Sequence, residues 1–436
     1  MRIFHIDLKP KDDDHITLRY GWENLADFEE RTLPVSEISD LIARAERDYY
    51  VQLLPEDYGV TGQQLYKWLD GSDRWLERQL KNERDLTVLA IAAAGRLAHL
   101  PWEVLHDGND FLVARLSPTV LPVRWSGTGT KPLKVTEANP ANRALNVLFM
   151  ATSPAGVEPV LDFEAEEGRI LAATKKQPLA LTVEESGCLD ELRNLVASYD
   201  RDWFDVLHLT GHADHSADGP IFITETEFGQ RQDATAQDIA KAVQFRFPSV
   251  VFLSGCRTGQ SDREGTVPSM AAQLSDHGAG TVLGWGQPVL DQYSITAAEA
   301  LYGALAAAKS LPEALVLTYQ AMLAAKARDW HFLRLYVAEA IPGALVTPMR
   351  TKGRKKAPKP SVLLAFLDAD KVGREVARRE SFVGRRRELQ ACLRALTPYS
   401  EEETLGVLIY GLGGNGKSTL ALRLCDRLTD YEKRLM

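Results

Sequence analysis

One cysteine and one histidine each follow an apolar segment of the kind that forms a buried strand. Cys256 comes directly after residues 249–255 (SVVFLSG), and His212 comes directly after residues 204–211 (FDVLHLTG). The carboxyl ends of neighbouring parallel strands meet at one edge of a sheet, so we expect the two side chains to lie together there. A thiol attacks a carbonyl as the thiolate, and an imidazole supplies the base that this requires. The pattern therefore predicts Cys256 as a nucleophile and His212 as its acid and base.

Each of these residues has a simpler explanation when it is taken alone. A single cysteine or histidine on an apolar strand is usually a core residue. The presence of both, at the ends of two strands of one sheet, is what favours catalysis. Gly255 allows a sharp turn out of the strand, and backbone N–H groups of Cys256 and of the residues flanking His212 would stabilise an oxyanion.

A metal site is the second possibility for this region, because His208, His212 and His215 stand close together with Asp214 beside them. On a strand, His208 and His212 share one face but lie roughly 13 Å apart. One ion cannot be bound across that distance unless the strand ends between them. We therefore predict no metal site in this domain.

Strand and helix patterns alternate from Ala144 onward, which is typical of a mostly parallel sheet covered by helices on both faces, an αβα sandwich. In this region we expect Thr235 to cap a helix. Before it, we expect a strand over 112–123 and a packed Trp102 beside a surface pair at Glu103. The patterns divide the chain into an N-terminal α+β subdomain (1–125), a connector (126–142), the α/β domain (143–345), a basic linker (346–380) and a last segment (381–436).

The composition limits the classes of protein and partner that this chain can represent. Apolar residues make up 45% of the 436 residues and charged residues 25%, with a net charge of −9. These values are typical of a globular protein and argue against a general nucleic-acid coat, so no nucleic-acid partner is expected. The four cysteines (Cys188, Cys256, Cys392 and Cys425) form no CxxC pair, which indicates a reducing compartment and no zinc framework. No apolar signal segment or membrane-length run is present, so we expect a cytoplasmic protein without a membrane partner.

A phosphate-binding loop begins the last part of the chain. Residues 411–418 (GLGGNGKS) form a complete Walker A pattern between a predicted strand over 404–410 and a predicted helix over 419–428. Glycines free backbone N–H groups to surround phosphates, the lysine reaches the terminal phosphates, and the serine binds Mg²⁺. The predicted nucleotide-binding residues are Gly411, Gly413, Gly414, Gly416, Lys417, Ser418 and Thr419.

Several motifs, in order, resemble the CHAT domain, a caspase-related family of cysteine peptidases that also resembles separase. They are LPWEVL (100–105), DVLHLTGH (205–212), LSGCRTG (253–259), GWGQPVLD (284–291) and LYV (335–337). The resemblance implies a caspase-like fold for 143–345, with 1–125 as the N-terminal part of the CHAT region. It also implies a cysteine endopeptidase with His212 as acid/base and Cys256 as nucleophile.

Two further site residues come from this resemblance. The family usually has glycine after the histidine, where the N–H helps to bind the oxyanion; Ala213 stands there and keeps the N–H, so Ala213 and Cys256 are the expected oxyanion donors. In relatives an acidic residue after the tryptophan strand lines the pocket for a basic P1 side chain, and Asp291 holds that position. An N-cap for the following helix is an equally good explanation of Asp291.

The segment 382–389 (FVGRRREL) resembles the entry to STAND-type NTPases, which include the NACHT and NB-ARC switches. The alternative for its arginine run is a solvated helix start. A second acidic strand and sensor residues do not follow Ser418 within this chain, so 381–436 is expected to be the start of such a domain. We expect ATP and Mg²⁺ to be cofactors of a longer protein and not to bind tightly to this chain; the peptidase itself needs no cofactor.

The sequence therefore predicts a cysteine endopeptidase effector in a nucleotide-regulated signalling or bacterial defence protein. The expected partner is a protein substrate, such as a pore-forming effector, with self-assembly in the longer protein. The alternative is a non-catalytic caspase-like scaffold that recruits partners for an NTPase switch. A plain NTPase is a third possibility, in which Lys417 would be essential and Cys256 would not.

Overall fold

The structure of this chain is a computed structural model. It describes residues 1–23, 27–46, 55–126, 131–136, 139–154, 156–158, 168, 170, 172, 179–216, 219–255, 269–286, 289, 291–356, 362–364, 375–377, 382, 384–396 and 406–435.

Between residues 179 and 337 strands alternate with helices, as the sequence predicts, except for three consecutive strands within 206–234 and two consecutive helices within 291–324. The strands are Arg2–Pro10 (β1), His15–Gly21 (β2), Glu29–Pro34 (β3), Thr87–Ala93 (β4), Val120–Trp125 (β5), Lys134–Thr136 (β6), Leu145–Ala151 (β7), Leu179–Glu184 (β8), Val206–Ser216 (β9), Gly219–Glu225 (β10), Arg231–Ala234 (β11), Val250–Gly255 (β12), Thr281–Trp285 (β13), Leu333–Val337 (β14), Ala340–Pro342 (β15), Val362–Leu364 (β16) and Glu375–Ala377 (β17).

The helices begin and end as follows: Ser39–Glu46 (α1), Pro55–Asp70 (α2), Trp75–Leu80 (α3), Leu189–Ala197 (α4), Ala236–Ala242 (α5), Met270–Asp276 (α6), Asp291–Ala306 (α7), Leu311–Ala324 (α8), Arg386–Leu396 (α9) and Lys417–Leu435 (α10). Thr235 caps α5 in a complete capping box with Asp238, which confirms the predicted cap.

Within the described residues, thirteen strands form one sheet. Its centre is the parallel series β8, β7, β9, β12 and β13. β14 joins β13 antiparallel and β5 parallel, and β4 and β1 continue the sheet before the antiparallel β2 and β3. The strands of residues 1–125 thus extend the sheet of the α/β region. Within the predicted connector, β6 pairs with β15, and within the predicted linker, β16 pairs with β17.

Each central strand buries both of its faces, because successive side chains point to opposite sides. On β7, Val147 and Phe149 belong to the core that contains α7 and α8. Leu148 and Met150 belong to the core that contains α4, α5 and α6. Helices therefore cover both faces of the mostly parallel sheet, which confirms the predicted αβα architecture.

The LPWEVL motif forms a short 3-10 turn, Trp102–Val104, that is anchored to the sheet. Glu103 accepts hydrogen bonds of 2.9 Å from both Nε and Nη2 of Arg124 on β5. Arg124 also donates to the carbonyl oxygens of Ala98 (2.6 Å) and Leu100 (3.0 Å). The prediction of a surface pair is wrong, since Glu103 is 2% and Arg124 6% exposed; a buried carboxylate needs such a partner.

Two predicted strands differ from the structure. The predicted strand over 112–123 is a 3-10 turn, Leu112–Ala114, followed by β5. The strand predicted over 404–410 is absent where the structure describes it: residues 406–410 have no strand pairing, and Leu408 is 83% exposed. An apolar segment becomes a strand only when a neighbouring strand satisfies its backbone groups.

In the part of the chain that the structure describes, no helix is both long and apolar enough to cross a membrane.

Candidate functional site

Strands β9 and β12 lie side by side in parallel at the centre of the sheet. Their register runs without a slip over six consecutive pairs, from Val250 opposite Val206 to Gly255 opposite Gly211. The next residues along the chain are His212 and Cys256. Cys256 belongs to the segment 256–268, which lies outside the described residues. The register thus brings the described ends of both predicted segments together.

His212 lies within β9, where it pairs with Ile223 of β10, and it is 9% exposed. The sequence placed His212 after the end of its strand, and that placement is wrong. The neighbouring strand β7 ends at Ala151, opposite Thr210. From His212 onward, β10 takes over the same edge of β9 as an antiparallel partner, so the strand continues to Ser216.

His208 is a core residue. Its ring stacks on Phe252 at a centroid distance of 4.7 Å and meets the edge of Phe149 at 5.0 Å. Its side chain is fully buried. The metal alternative required the strand to end between His208 and His212, but β9 continues through both residues. Among the described residues, no group of three or more His, Cys, Asp or Glu side chains is placed to hold a metal ion.

At Gly211, β9 lies close to β10 and to the residue that follows β7. A Cβ at this position would stand 2.0 Å from Oγ1 of Thr152 and 3.2 Å from the ring of Phe222. Thr152 donates its backbone N–H to the Thr210 carbonyl (2.8 Å) and its hydroxyl to the Ile223 carbonyl (2.7 Å). Thr152 therefore joins the end of β7 to β9 and to β10, beside His212. This role was not predictable from the sequence, because a threonine after a strand is common in loops.

The hydrogen bonds around Thr152 extend through Thr210 to β12, the strand that precedes Cys256. Thr210 donates its hydroxyl to the carbonyl oxygen of Ser254 at 3.2 Å. Ala213, the predicted oxyanion donor, is partly buried and pairs with Phe222 of β10. Asp291 is the first residue of α7, and its side chain lies outside what the structure describes.

A cluster of buried charges, which sequence reasoning missed, lies beside Thr152. Arg386 at the start of α9 donates to the carbonyl oxygen of Ala151 and to the Glu225 carboxylate. Gln390 donates to the same carboxylate, which also accepts the Ser153 N–H at 2.6 Å. Arg386 is 3% exposed, so the alternative of a solvated helix start is wrong at this position. Only tertiary structure brings Glu225 to it.

A second pair extends the cluster along α10. Arg423 donates its Nε–H to Glu185 at 2.6 Å, and Arg427 lies 3.8 Å from the same carboxylate. The adjacent Glu184 accepts hydrogen bonds from Ser186 and from the Gly187 N–H. Burial raises the pKa of the Glu184 carboxyl, and the charge of Glu185 adds to that effect. We call Glu185, Glu225, Arg386, Gln390, Arg423 and Arg427 the arginine–glutamate cluster.

The predicted phosphate loop is an exposed turn that leads into α10 at Lys417. Gly414 and Gly416 have φ values of 83° and 73°, which favour glycine. A Cβ at Gly411, Gly413 or Gly414 would meet nothing within 4 Å, so their backbone is open to a ligand. Lys417 donates to the carbonyl oxygen of Leu412 at 2.7 Å. The loop is thus exposed and leads directly into the helix, without the strand expected before it.

A family model described as the CHAT domain matches residues 59–369, which is more than half of the chain. This chain belongs to the CHAT-domain family. The match extends beyond the motifs on which the resemblance was based, and it includes the N-terminal strands β4 and β5. A search of the curated proteins found no match.

Among solved structures, the CHAT chain is similar to a crystal structure of the separase–securin complex of Saccharomyces cerevisiae, with 13% identity and a TM-score of 0.46. That match covers 78% of this chain and 30% of the separase chain. A complex of the pro- and mature domains of RgpB from Porphyromonas gingivalis matches with 11% identity and a TM-score of 0.42, covering 76% of this chain and 81% of that one. Similarity at this level does not bear on activity.

Proposed function

We propose that this CHAT protein is a cysteine endopeptidase in which His212 and Cys256 form the catalytic dyad. The register between β9 and β12 carries the proposal. Neighbouring strands lie about 4.8 Å apart, and Gly255 stands directly opposite Gly211. If the same register continued by one residue, position 256 would lie beside His212. His212 and Cys256 would then follow Thr210 and Ser254 on the same face of the sheet, because side chains repeat every second residue.

The proposed chemistry uses these two side chains and the backbone beside them. His212 takes the proton from the Cys256 thiol, and the thiolate forms a bond to the carbonyl carbon of the scissile peptide. The N–H groups of Ala213 and Cys256 donate to the oxyanion that forms. The C–N bond then breaks as His212 gives its proton to the leaving amine. Water, activated by the neutral His212, releases the acyl group and restores the thiol.

The surroundings of His212 suit this role. Its ring is nearly enclosed, with 9% of the residue exposed, so few water molecules compete for its proton. Four residues before it, His208 is packed between Phe252 and Phe149. This packing fixes the β9 backbone that leads to the catalytic imidazole, and a dyad depends on such preorganisation.

A peptide electrophile tests the proposal without knowledge of the natural substrate. We expect a peptidyl acyloxymethyl ketone to form an adduct at Cys256 in the wild-type protein, detected by mass spectrometry of the digested chain. In His212→Ala the adduct should fall by at least about a hundredfold, since the thiolate loses its base. Cys425 is exposed and serves as the internal control for ordinary thiol reactivity.

Two results would contradict the proposal. Equal labelling of Cys425 and Cys256 would show an ordinary thiol, and labelling of Cys256 that does not depend on His212 would remove the dyad. Either result would favour the alternative of a caspase-like scaffold without catalysis.

Asp291 is the proposed pocket residue for a basic P1 side chain, because it begins α7 shortly after β13 of the central sheet. In a P1-varied peptide library, Asp291→Ala is expected to lower kcat/KM for arginine and lysine substrates by about a hundredfold, the effect of one unpaired buried charge. The Asp291→Asn variant should lose the same preference while it retains helix-capping capacity. An unchanged preference for basic substrates would assign Asp291 to the helix N-terminus instead.

The C-terminal residues are proposed to carry nucleotide control of this peptidase within a longer STAND-type protein of signalling or bacterial defence. Bound ATP with Mg²⁺ would supply a ligand-dependent change of conformation. The backbone of Gly411, Gly413, Gly414 and Gly416 would surround the phosphates, with Lys417, Ser418 and Thr419 at the helix start. The open loop conformation supports this assignment. The proposed partner is a protein substrate, such as a pore-forming effector, and the proposed regulated form is self-assembled.

A further inference from the structure

We propose that Arg386, in the C-terminal part of the chain, is a positioning residue for the peptidase site. Its guanidinium holds β7 and β10 together at the point, beside His212, where β10 replaces β7 as the neighbour of β9. The inference rests on the proposed function, because it concerns the geometry of the His212–Cys256 dyad. Within the arginine–glutamate cluster, it assigns to Arg386 alone a role in the activity of the CHAT domain.

Arg386 contacts two strands that do not pair with each other. One nitrogen donates to the carbonyl oxygen of Ala151, the last residue of β7, and another donates to Glu225, the last residue of β10. Ala151 pairs with Thr210 on β9, and Ile223 of β10 pairs with His212. The guanidinium therefore bridges the two strands that share one edge of β9.

Hydrogen bonds continue from this bridge to both strands of the dyad. Next to Ala151, Thr152 binds the carbonyl oxygens of Thr210 on β9 and Ile223 on β10. Thr210 donates in turn to Ser254, two residues before Cys256. A displacement at Arg386 would thus reach the backbone of β9 and of β12 through direct contacts.

The site for the guanidinium is specifically built. A Cβ on Gly187 would stand 2.1 Å from Nη2 of Arg386, 2.8 Å from Oε1 of Glu225 and 2.9 Å from the Ala151 carbonyl oxygen. Gly187 also has a φ of 71°, which favours glycine. The side chain of Glu225 has no exposed surface. Gly187 therefore leaves space for the guanidinium of Arg386 to pair with the buried carboxylate of Glu225.

A buried ion pair of this kind is a poor source of stability, because desolvation offsets much of its attraction. It is effective in fixing one geometry, since the planar guanidinium binds its acceptors in defined directions. Arg386 lies in the segment that precedes the phosphate loop, and Arg423 and Arg427 lie in the helix that follows the loop. The helix after the phosphate loop thus contacts the same edge of the sheet through Glu185.

The test measures the reactivity of Cys256 in the full chain as a function of pH. The rate of alkylation by iodoacetamide at Cys256 would be followed by mass spectrometry between about pH 5 and pH 9, below and above the ordinary thiol pKa. In the wild type, reaction should persist below that pKa because His212 holds the thiolate. Arg386→Gln is expected to slow alkylation near neutral pH at least tenfold and to move the profile toward that of His212→Ala. Arg386→Lys retains a cation for one of the two acceptors and should give an intermediate profile.

Arg423→Gln is the matched control. Arg423 is also 3% exposed and also pairs with a buried glutamate, but among the described contacts it does not bind β7 or β10. Both Gln variants should lower the urea midpoint of unfolding by similar amounts, while only Arg386→Gln changes the pH profile. A wild-type profile in Arg386→Gln, or equal profiles in the two variants, would overturn the positioning role and leave the dyad intact. If the wild-type protein itself showed the same pH profile as His212→Ala, the dyad would be overturned, and with it this inference.

Discussion

Replacing Cys256 or His212 with alanine is expected to abolish peptide cleavage, with a loss in kcat of at least about 10³-fold for either variant. Cys256→Ala removes the atom that forms the covalent bond, and His212→Ala removes the group that takes and returns the proton. Both groups act in one step, so the double variant should be no slower than Cys256→Ala alone. The measurement is the single-turnover rate with an unblocked peptide library, analysed by mass spectrometry.

Matched controls separate this loss from unfolding or from loss of any thiol or imidazole. Cys425 is exposed in α10, and Cys425→Ala should keep the wild-type rate. His15 forms an exposed hydrogen bond with Asp12, and His15→Ala should also keep the wild-type rate, since such exposed contacts contribute little. Cleavage by Cys256→Ala at the wild-type rate would assign the activity to another protein and leave the CHAT domain as a scaffold.

Much of the framework around this dyad could be predicted from the sequence, because the alternation of apolar strands and amphipathic helices is a local signal. The apolar runs before His212 and Cys256 indicated neighbouring strands, and β9 and β12 are neighbours. The continuation of β9 past His212 was not predictable, since it depends on β10 replacing β7 at the edge of the sheet. A pattern of single residues does not reveal where a neighbouring strand stops.

Buried charges were the least predictable feature. Arg386 stands in a run of arginines that reads as a solvated helix start, and Glu225 ends a hairpin strand far away in the sequence. Each residue alone is typical of a protein surface. Glu103 shows the same limit, because the sequence predicted a pair there but neither Arg124 as its partner nor the burial of both residues. Whether a charge is buried depends on the partner that the fold supplies.

Gly211→Ala is expected to destabilise the protein by about 3 kcal/mol and to lower the reactivity of Cys256 as well. The added Cβ would stand 2.0 Å from Oγ1 of Thr152, and the ring of Phe222 leaves no room on the other side at 3.2 Å. To make space, Thr152 must rotate and give up its hydrogen bond to the Ile223 carbonyl. That bond joins β7 to β10 beside His212, so the displaced backbone lies at the dyad itself. Urea unfolding and Cys256 alkylation measure the two effects.

A double-variant cycle shows whether the contact with Thr152 is the cause. Thr152→Ala removes the oxygen that the new methyl group would meet, so Gly211→Ala should cost less in that background than in the wild type. Gly303 in α7 is the matched control, because a Cβ there would meet nothing within 4 Å. Gly303→Ala should raise stability slightly, since alanine favours the helix. If Gly211→Ala left both the urea midpoint and the alkylation rate unchanged, the close approach of β7, β9 and β10 at Thr152 would not constrain His212.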